Sequence, residues 1–406
     1  MSAVIYGAGN IGRGFIGQIF GQSGCELIFI DTADALVRSI NQEGRYPIRI
    51  IDNEHSEDIW ITGIRAVNGK DEEAVSDAIA DADIMATAAG VRVLPLIAPV
   101  IAGGLKKRFA RNNTPLNIII CENLIDADKA LARYIKEYLN DDEQKLMDKL
   151  VGFVEASVGR MVPLQTEQMR EGNPMRICAE AYGFLPVNKA AFKGRIPDMK
   201  GLLPFDNFDF YIERKLFIHN MGHCICACLG LIHGYSFIYE AVSHPGILLI
   251  AQNAMQESAL ALSAQNQMPL DALVRHIRDL LNRFSNRALQ DTCARVGADT
   301  IRKLGSGDRF IGALRCCVKN KVSPSFIRIG TAAALYCRLA ESGAAFDSET
   351  ARSELQKLSG LEGDEADRIL LFYSLIAECA YTALFDSTIE RLIKLAMNES
   401  RENGVI

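Results

Sequence analysis

The sequence predicts an α/β fold in its first half, with a doubly wound parallel sheet, and a mostly α-helical second half. Short apolar runs alternate with helical patterns in the first half, which is typical of parallel strands connected by helices. Nine of the twelve prolines lie at or before Pro204, and because proline disrupts helix interiors, the rest of the chain is free to be helical. We therefore expect one domain over residues 1–205 and a second over residues 206–406.

The predicted elements follow one another in a regular order. The strands are expected at residues 3–6, 27–30, 83–87 and 117–121. The helices of the first half are expected at residues 11–23, 34–41 and 99–109, the last with Pro99 in its first turn, where proline is tolerated. Residues 46–67 break the alternation and predict short β runs inserted at the sheet edge, and residues 193–208 are the expected domain boundary. Helical periodicity marks residues 246–263, 270–284 and 364–383.

Composition excludes several classes of function. The 406 residues have a formal net charge of −6 and a charged fraction of 23%, whereas a nucleic-acid-binding domain is usually basic. No apolar run approaches the roughly 18 residues of a membrane-spanning helix, and no targeting segment follows Met1. We therefore expect a cytoplasmic protein that binds neither nucleic acid nor membrane and is a monomer or a weak homo-oligomer.

The eleven cysteines suggest reduced thiols, because an odd count in a long chain does not indicate a disulfide framework. Three of them, Cys224, Cys226 and Cys228, lie among histidines and raise the question of a metal site. On a helix Cys226 would point away from the other two, and zinc motifs usually combine two cysteine pairs. Buried thiols in a core helix are the simpler interpretation, so no metal is expected.

A glycine-rich turn follows the first predicted strand. Gly7, Gly9 and Gly12 form a G-x-G-x-x-G pattern at the start of a helix, where free N–H groups and the helix dipole favour a pyrophosphate. Asp31 ends the next strand, as expected for an acceptor from the adenosine ribose hydroxyls, and this favours NAD over NADP. An ordinary glycine turn is the alternative. The predicted cofactor-binding residues are Gly7, Gly9, Asn10, Ile11, Gly12, Arg13, Asp31 and Ala88, with Arg13 as a possible pyrophosphate partner.

A second constellation lies at Lys215, Asn220 and His223. On an α-helix these residues lie at about 0°, 140° and 80° around the axis, so they share one broad face. A secondary-alcohol dehydrogenase without a metal needs a base for the hydroxyl proton and donors for the developing alkoxide. A buried lysine with a lowered pKa can be that base. A solvated lysine beside two core polar residues is the plainer alternative.

These segments together resemble the polyol-specific long-chain dehydrogenases of the mannitol dehydrogenase family, over nearly the full chain. The similar segments are residues 7–17, 117–123, 158–163, 213–223 and 295–309. The resemblance implies a zinc-independent NAD enzyme that interconverts a polyol phosphate and a ketose phosphate, namely mannitol 1-phosphate and fructose 6-phosphate. It also implies a Rossmann domain followed by an α-helical domain.

The resemblance further implies the roles of individual residues. Lys215 would be the general acid/base, Asn123 and Asn220 the alkoxide donors, and His223 a group that positions the substrate. The expected substrate-binding residues are Arg160, Arg295, Lys303 and Arg309.

Two positions depart from the family pattern, and both concern the substrate. Gly159 stands where the family usually has aspartate, which removes an acceptor for a substrate hydroxyl. Ala298 stands where the family has arginine, the natural bidentate partner of phosphate. Two alternatives therefore stay open: a family relative that acts on a free polyol or a hexuronate, and a non-catalytic NAD-binding sensor.

Overall fold

The computed structural model describes residues 1–379 and 384–402. It divides the chain into two compact units, Met1–Phe208 and Asp209–Ile406. The first contains all the strands of the described residues and the second is helical, which confirms the predicted fold class.

The main sheet of the first unit is parallel, with strand order β5-β2-β1-β6-β7-β8. The strands of the unit are β1 (Ser2–Tyr6), β2 (Glu26–Asp31), β3 (Arg45–Ile51), β4 (Ser56–Thr62), β5 (Ile64–Asn68), β6 (Ile84–Thr87), β7 (Leu116–Ile120), β8 (Val151–Glu155), β9 (Ile177–Ala179), β10 (Leu185–Asn188) and β11 (Leu202–Phe205). From β1 the chain adds strands on one side and then returns to place β6 on the other. Ligands of such sheets bind at the carboxyl ends of the strands beside this reversal.

Helices cover both faces of this sheet. They are α1 (Gly17–Gln22), α2 (Asp34–Glu43), α3 (Glu72–Ala80), α4 (Leu94–Arg111), α5 (Ala127–Lys136) and α6 (Asp141–Leu150). The short helix α7 (Glu167–Arg170) packs on β9 instead. Alternate residues of β1 enter two different apolar cores: Ala3 and Ile5 pack on one face, and Val4 and Tyr6 on the other. The near-continuous apolar runs of these strands follow from this burial on both sides.

The insertion at residues 46–67 differs from the prediction. Strands β3 and β4 form an antiparallel hairpin, but it pairs with β9 in a separate sheet instead of extending the main one. Of the three strands in this insertion, β5 alone joins the main sheet, at one of its two edges. The partner strand β9 is more than 120 residues away along the chain, so local periodicity gives no sign of this pairing.

The helix predicted to begin at Pro99 begins earlier. Helix α4 starts at Leu94, with Pro95 in its first turn, and Pro99 lies in its interior. An interior proline costs one backbone hydrogen bond. The packing of the buried face of α4, including Leu94, Ile97 and Ile101, offsets that cost.

The second unit consists of helices around a buried central helix, α9. Its helices are α8 (Phe208–Arg214, beginning at the unit boundary), α9 (Met221–His233), α10 (Ile238–Ser243), α11 (Pro245–Asn266), α12 (Leu270–Phe284), α13 (Cys293–Gly297), α14 (Thr300–Lys303), α15 (Ile311–Lys319), α16 (Ser325–Ser342), α17 (Ser348–Ser359), α18 (Gly363–Cys379) and α19 (Phe385–Glu402). The predicted helix 364–383 corresponds to α18, and its last four residues lie outside the described residues.

The helical run Phe208–His233 is long and apolar enough to cross a membrane, by length and composition alone. However, 83% of its most apolar window is buried inside the protein, as expected for a core helix. Helix α9 packs against α11, α13 and α16, and nearly all its side chains are buried.

Candidate active site

The glycine-rich turn joins β1 to the first helical segment at the strand reversal. Gly7 has a φ of +102°, and a Cβ there would lie 2.5 Å from the carbonyl oxygen of Ala88. A Cβ at Gly12 would overlap the carbonyl of Gly7. Both positions therefore require glycine, and Ala88, at the end of β6, lies directly against the turn.

Gly9 differs from its two neighbours in the motif. A Cβ at Gly9 would meet no heavy atom within 4 Å, and the residue is exposed. No contact within the protein therefore requires glycine at this position. A glycine does allow a ligand to approach the backbone closely, and the fit of this turn to a pyrophosphate rests on the open space beside Gly9.

Asp31 lies at the end of β2 beside the same turn. Its Oδ2 accepts a hydrogen bond from the Ala8 N–H at 2.9 Å, and its Oδ1 accepts one from the Ala33 N–H at 2.9 Å. A carboxylate has about four acceptor positions, so two hydrogen bonds leave it able to accept from ribose hydroxyls. The half-buried Asn10 donates from Nδ2 to the Pro163 carbonyl at 3.0 Å, and Ile11 packs partly against the core.

Arg13, a predicted pyrophosphate partner, is hydrogen-bonded to oxygens of the protein itself. It lies in a π-helical segment, Gly12–Ile16, and its side chain is buried. Its Nε donates to the Ala8 carbonyl at 2.7 Å and its Nη1 to the Met175 carbonyl at 2.6 Å. Arg13 therefore ties the glycine-rich turn to the chain that leads into β9, and its contact with a pyrophosphate stays a prediction.

Glu122 is a residue that the sequence analysis did not assign to the site. Its carboxylate is buried at the end of β7 and accepts from Thr87 Oγ1 at 2.6 Å, from Ala89 N–H at 3.0 Å and from Gly90 N–H at 3.3 Å. Burial raises the pKa of Glu122, and these hydrogen bonds oppose the shift. The carboxylate therefore fixes the loop that begins at Ala88. The exposed Asn123 follows it at the same edge of the sheet.

The predicted catalytic lysine begins a second π-helical segment, Lys215–Asn220, between α8 and α9. The predicted angles assumed an α-helix, whereas i→i+5 hydrogen bonding widens the turn and changes them. Such segments are frequent at functional sites. Lys215 and Asn220 are half-buried and His223, one turn into α9, is buried.

Three polar atoms around this segment are buried and lack a hydrogen bond from any described residue: Asn220 Nδ2, His223 Nε2 and Asp291 Oδ2. His223 Nε2 lies 3.2 Å from Asp291 Oδ2, an ion-pair distance without hydrogen-bond geometry. An unsatisfied buried polar group costs about 1–3 kcal/mol, so three together point to a ligand. Catalytic hydrogen bonds are often poorly aligned until a substrate is bound.

The charges around these atoms form a connected set. Asp291 Oδ1 accepts from Arg295 Nε at 2.8 Å and lies 2.6 Å from Arg295 Nη2. Burial pushes the pKa of Asp291 up, but His223 and Arg295 outweigh it and hold the pKa below its usual range. Burial lowers the pKa of His223 although Asp291 opposes the shift, so we assign a neutral imidazole. Arg309 is buried and its Nη1 donates to the Asn220 carbonyl at 3.5 Å.

Two predicted substrate ligands are engaged elsewhere. Lys303 is buried, and its Nζ donates to the carbonyls of Val296 and Ala298. It therefore fastens the turn between α13 and α14. Arg160 is also buried; its Nε donates to the Glu180 carbonyl at 2.7 Å and its Nη1 to Gln18 Oε1 at 2.6 Å. Backbone and amide oxygens thus occupy several donors of both residues, and their contacts with a substrate stay predictions.

Gly159 has a local structural reason. A Cβ at this position would lie 3.3 Å from Cε1 of Tyr182, closer than most side-chain contacts. The Tyr182 ring therefore restricts the space that an aspartate would need.

The cysteine-rich helix α9 buries its thiols completely. Cys224, Cys226 and Cys228 have no exposed surface, and the Sγ atoms of Cys224 and Cys228 are 3.8 Å apart. A different group, His233, His244 and Asp386, holds side-chain atoms within 4.8 Å of one another. His244 Nδ1 accepts from the N–H groups of Gly246 and Ile247 and so begins α11 as a cap. Its Nε2–H then donates to Asp386 Oδ1, with 2.8 Å between the nitrogen and the oxygen, which describes a hydrogen bond better than a metal ligand.

Comparison with known families matches both units. The model of the mannitol dehydrogenase Rossmann domain matches residues 1–201, and that of the mannitol dehydrogenase C-terminal domain matches residues 207–396. A mannitol-1-phosphate 5-dehydrogenase of Brevibacillus brevis is 35% identical over 352 residues, which covers 87% of this chain and 89% of the relative. A mannitol-1-phosphate 5-dehydrogenase of Geobacillus thermodenitrificans is 36% identical over 366 residues, with 89% and 92% covered.

Solved structures share the fold. The Pseudomonas fluorescens mannitol 2-dehydrogenase, in a ternary complex with NAD and D-mannitol, has a TM-score of 0.77 at 15% identity, with 98% of this chain and 94% of that chain covered. A D-sorbitol dehydrogenase in substrate-free form has a TM-score of 0.71 at 16% identity, with 100% and 94% covered. At these identities the similarity is one of fold.

Proposed function

Because the chain belongs to the mannitol dehydrogenase family, we propose that it is an NAD-dependent dehydrogenase that interconverts mannitol 1-phosphate and fructose 6-phosphate in a reducing cytoplasm. The observation that carries the choice of substrate is the similarity to two mannitol-1-phosphate 5-dehydrogenases over almost nine tenths of the chain. Ten of the eleven cysteines are buried free thiols, which agrees with a reducing compartment.

The cofactor half of the proposal rests on the glycine-rich turn. Gly9 leaves the backbone open to a pyrophosphate, and Asp31 retains acceptor positions for the ribose hydroxyls. A carboxylate at this position would repel a 2′-phosphate, which supports NAD over NADP. When bound, NAD supplies the hydride acceptor at nicotinamide C4.

The acid/base half rests on Lys215, which is placed at the start of a π-helical segment. In the oxidation direction neutral Lys215 takes the hydroxyl proton, and in reduction its ammonium returns that proton to the alkoxide. Asn123 and Asn220 are proposed to donate to the alkoxide oxygen. The unsatisfied Nδ2 of Asn220 supports its part in this, because it is a buried donor that needs an acceptor.

We propose Arg295 and Arg309 as the ligands of the substrate phosphate. Arg309 contacts the Asn220 carbonyl through Nη1 while Asp308 holds its Nε, and Arg295 pairs with Asp291. Arg295 keeps 39% of its side chain exposed while it pairs with Asp291. Guanidinium groups bind phosphate through two parallel hydrogen bonds.

One assay tests the proposal directly. Purified protein and NADH are mixed with fructose 6-phosphate, fructose or tagaturonate, and the loss of NADH absorbance is followed. We expect oxidation of NADH with fructose 6-phosphate at a kcat/KM at least about tenfold above that with fructose. Turnover of another sugar without turnover of fructose 6-phosphate would disprove the proposed substrate.

A second candidate is a family member that acts on a free polyol or a hexuronate. The engagement of Lys303 by backbone carbonyls favours it, because this removes a cation from the set that could hold a phosphate. The fructose and tagaturonate arms of the same assay detect it. NADH binding without turnover of any of the three sugars would instead indicate an NAD-binding sensor.

A further inference from the structure

Asp291 has one engaged and one unsatisfied carboxylate oxygen. Its Oδ1 is held by Arg295, whereas Oδ2 is buried and accepts no hydrogen bond from the described part of the chain. The whole residue is 7% exposed and precedes α13. Its oxygen is therefore fixed in position and has acceptor capacity that nothing described in the protein uses.

His223 faces that oxygen and is equally fixed. Its ring stacks on Phe284 with 4.6 Å between ring centroids and 11° between planes, and it is 8% exposed. Its Nε2 lies 3.2 Å from Asp291 Oδ2 and, like that oxygen, has no hydrogen bond within the described residues. Because a lone pair on Nε2 would repel the carboxylate, the hydrogen is assigned to Nε2.

The two atoms define the chemistry of the group that would satisfy both. Nε2–H needs an acceptor and Oδ2 needs a donor. A hydroxyl group is both, since it has one hydrogen and two lone pairs. A phosphate or carboxylate oxygen would be repelled by Asp291, a carbonyl has no hydrogen to give it, and an ammonium has no lone pair for Nε2–H.

We propose that Asp291 and His223 together bind one hydroxyl of the sugar, a hydroxyl other than the one that is oxidised, and that Asp291 thereby determines specificity for it. The hydroxyl donates to Asp291 Oδ2 and accepts from His223 Nε2–H. This inference rests on the proposed function only in that the ligand is a polyol or ketose. Arg295 then acts partly as a positioning residue that holds Asp291 in place.

The test removes the hydroxyl and the carboxylate in turn. Wild-type protein and Asp291→Asn are assayed with NADH and fructose 6-phosphate, and with its 1-deoxy, 3-deoxy, 4-deoxy and 5-deoxy analogues. Wild type should lose about 10²-fold or more in kcat/KM for one of the four analogues, because its buried polar atoms stay unpaired. Asp291→Asn should have a lower kcat/KM than wild type with fructose 6-phosphate. Removal of that same hydroxyl from the sugar should then lower the kcat/KM of the variant by less than about threefold further.

The matched control is Asp271→Asn, which breaks a similar Asp–Arg pair at i,i+4 on an exposed helix surface. It should keep the wild-type discrimination among the analogues. Thermal unfolding checks that Asp291→Asn is folded. If it is not, Asp291→Glu provides the same comparison, since it keeps the charge for Arg295 but displaces the second oxygen by one methylene.

Equal losses for wild type and variant with every analogue would overturn the proposal and leave Asp291 a structural residue. If wild type does not use fructose 6-phosphate, the proposed function fails by itself. The same comparison then uses the sugar that wild type does reduce and its monodeoxy analogues. If Asp291→Asn discriminates among those analogues as strongly as wild type does, the inference is overturned there as well.

Discussion

Lys215 bears the largest share of the proposed chemistry at the residue scale. Lys215→Ala should lower kcat by at least about 10²-fold, the usual scale for a general acid/base. Lys215→Arg should be nearly as inactive, because a guanidinium keeps the positive charge but does not give up a proton at neutral pH. The measurement is steady-state NADH oxidation with the sugar that wild type reduces.

Lys357→Ala is the matched control, since Lys357 is an exposed lysine of α17. It should retain wild-type turnover. Near-normal kcat in Lys215→Arg would exclude Lys215 as the group that transfers the proton, even if binding is weakened.

At the residue scale, a motif predicts the type of a side chain better than its partner. Arg13, Arg160 and Lys303 lie in the recognised motifs, and each is predicted to contact a cofactor or substrate. In the structure their donors meet backbone carbonyls and an amide oxygen. The Met175 carbonyl bound by Arg13 and the Glu180 carbonyl bound by Arg160 are 162 and 20 residues away along the chain, so only folding brings them near.

The glycine-rich turn gives a prediction at the scale of an element. Gly9→Ala should fold like wild type, because the new Cβ meets open space, but it should raise the Kd for NADH by about tenfold or more if the pyrophosphate approaches there. Fluorescence titration with NADH and a thermal melt measure the two effects separately. Unchanged NADH affinity in a folded Gly9→Ala would argue against a pyrophosphate at this turn.

Gly7→Ala is the contrasting variant of the same turn. Its Cβ would lie 2.5 Å from the Ala88 carbonyl on a backbone of positive φ. We expect a lower melting temperature as well as lost NADH binding, so the pair separates ligand approach from backbone strain.

Glu122 gives a second prediction at this scale, because it joins the ends of β6 and β7. Glu122→Gln removes the charge from hydrogen bonds to Thr87, Ala89 and Gly90. Each hydrogen bond to a charged group is worth about 1.5–3 kcal/mol, so we expect a clearly lower melting temperature and weaker NADH binding. Glu43→Gln, at an exposed glutamate of α2, should change neither.

A Glu122→Gln protein with wild-type melting temperature and NADH affinity would show that the loop after β6 does not depend on this carboxylate. The sequence contains Glu122 within a recognised segment, yet its role is invisible there. Only the pairing of β6 with β7 brings the carboxylate to the loop at residues 88–90.

The stability of the helical unit gives a prediction at the scale of the whole molecule. Burial, with help from Arg283 and other cations, holds the pKa of His219 well below its usual value. The unfolded chain therefore binds a proton at this residue near pH 6.5, whereas the folded chain does not. The contribution of neutral His219 to the free energy of unfolding is consequently lost as the pH falls below 6.5. Glu257 shows the opposite shift, because burial raises its pKa to about 8. The contribution of its protonated form to the free energy of unfolding is present below about pH 4.5 and is lost as the pH rises to 8.

The two residues should thus have opposite effects on the pH dependence of stability. Relative to wild type, His219→Gln should become more stable as the pH falls from 7 to 5, and Glu257→Gln should become more stable as it rises from 5.5 to 8. Urea unfolding followed by circular dichroism measures the free energies of unfolding. The difference in the free energy of unfolding between variant and wild type should change with pH in opposite directions for the two variants. A change in the same direction would contradict the pKa shift assigned to one of the two residues.

The sequence by itself determined the class of fold, the alternation of strands and helices in the first half, and the two motifs that identify the family. These features are local, because helix and strand periodicity, the glycine spacing and the Lys215 to His223 spacing all lie within short stretches of chain. Tertiary structure decided which atoms face each other. The separate sheet of β3, β4 and β9, the carbonyl partners of Lys303, and the contact of Asp291 with His223 join residues from five to over one hundred positions apart. The energies of these contacts depend on burial and geometry, which exist only once the chain has folded.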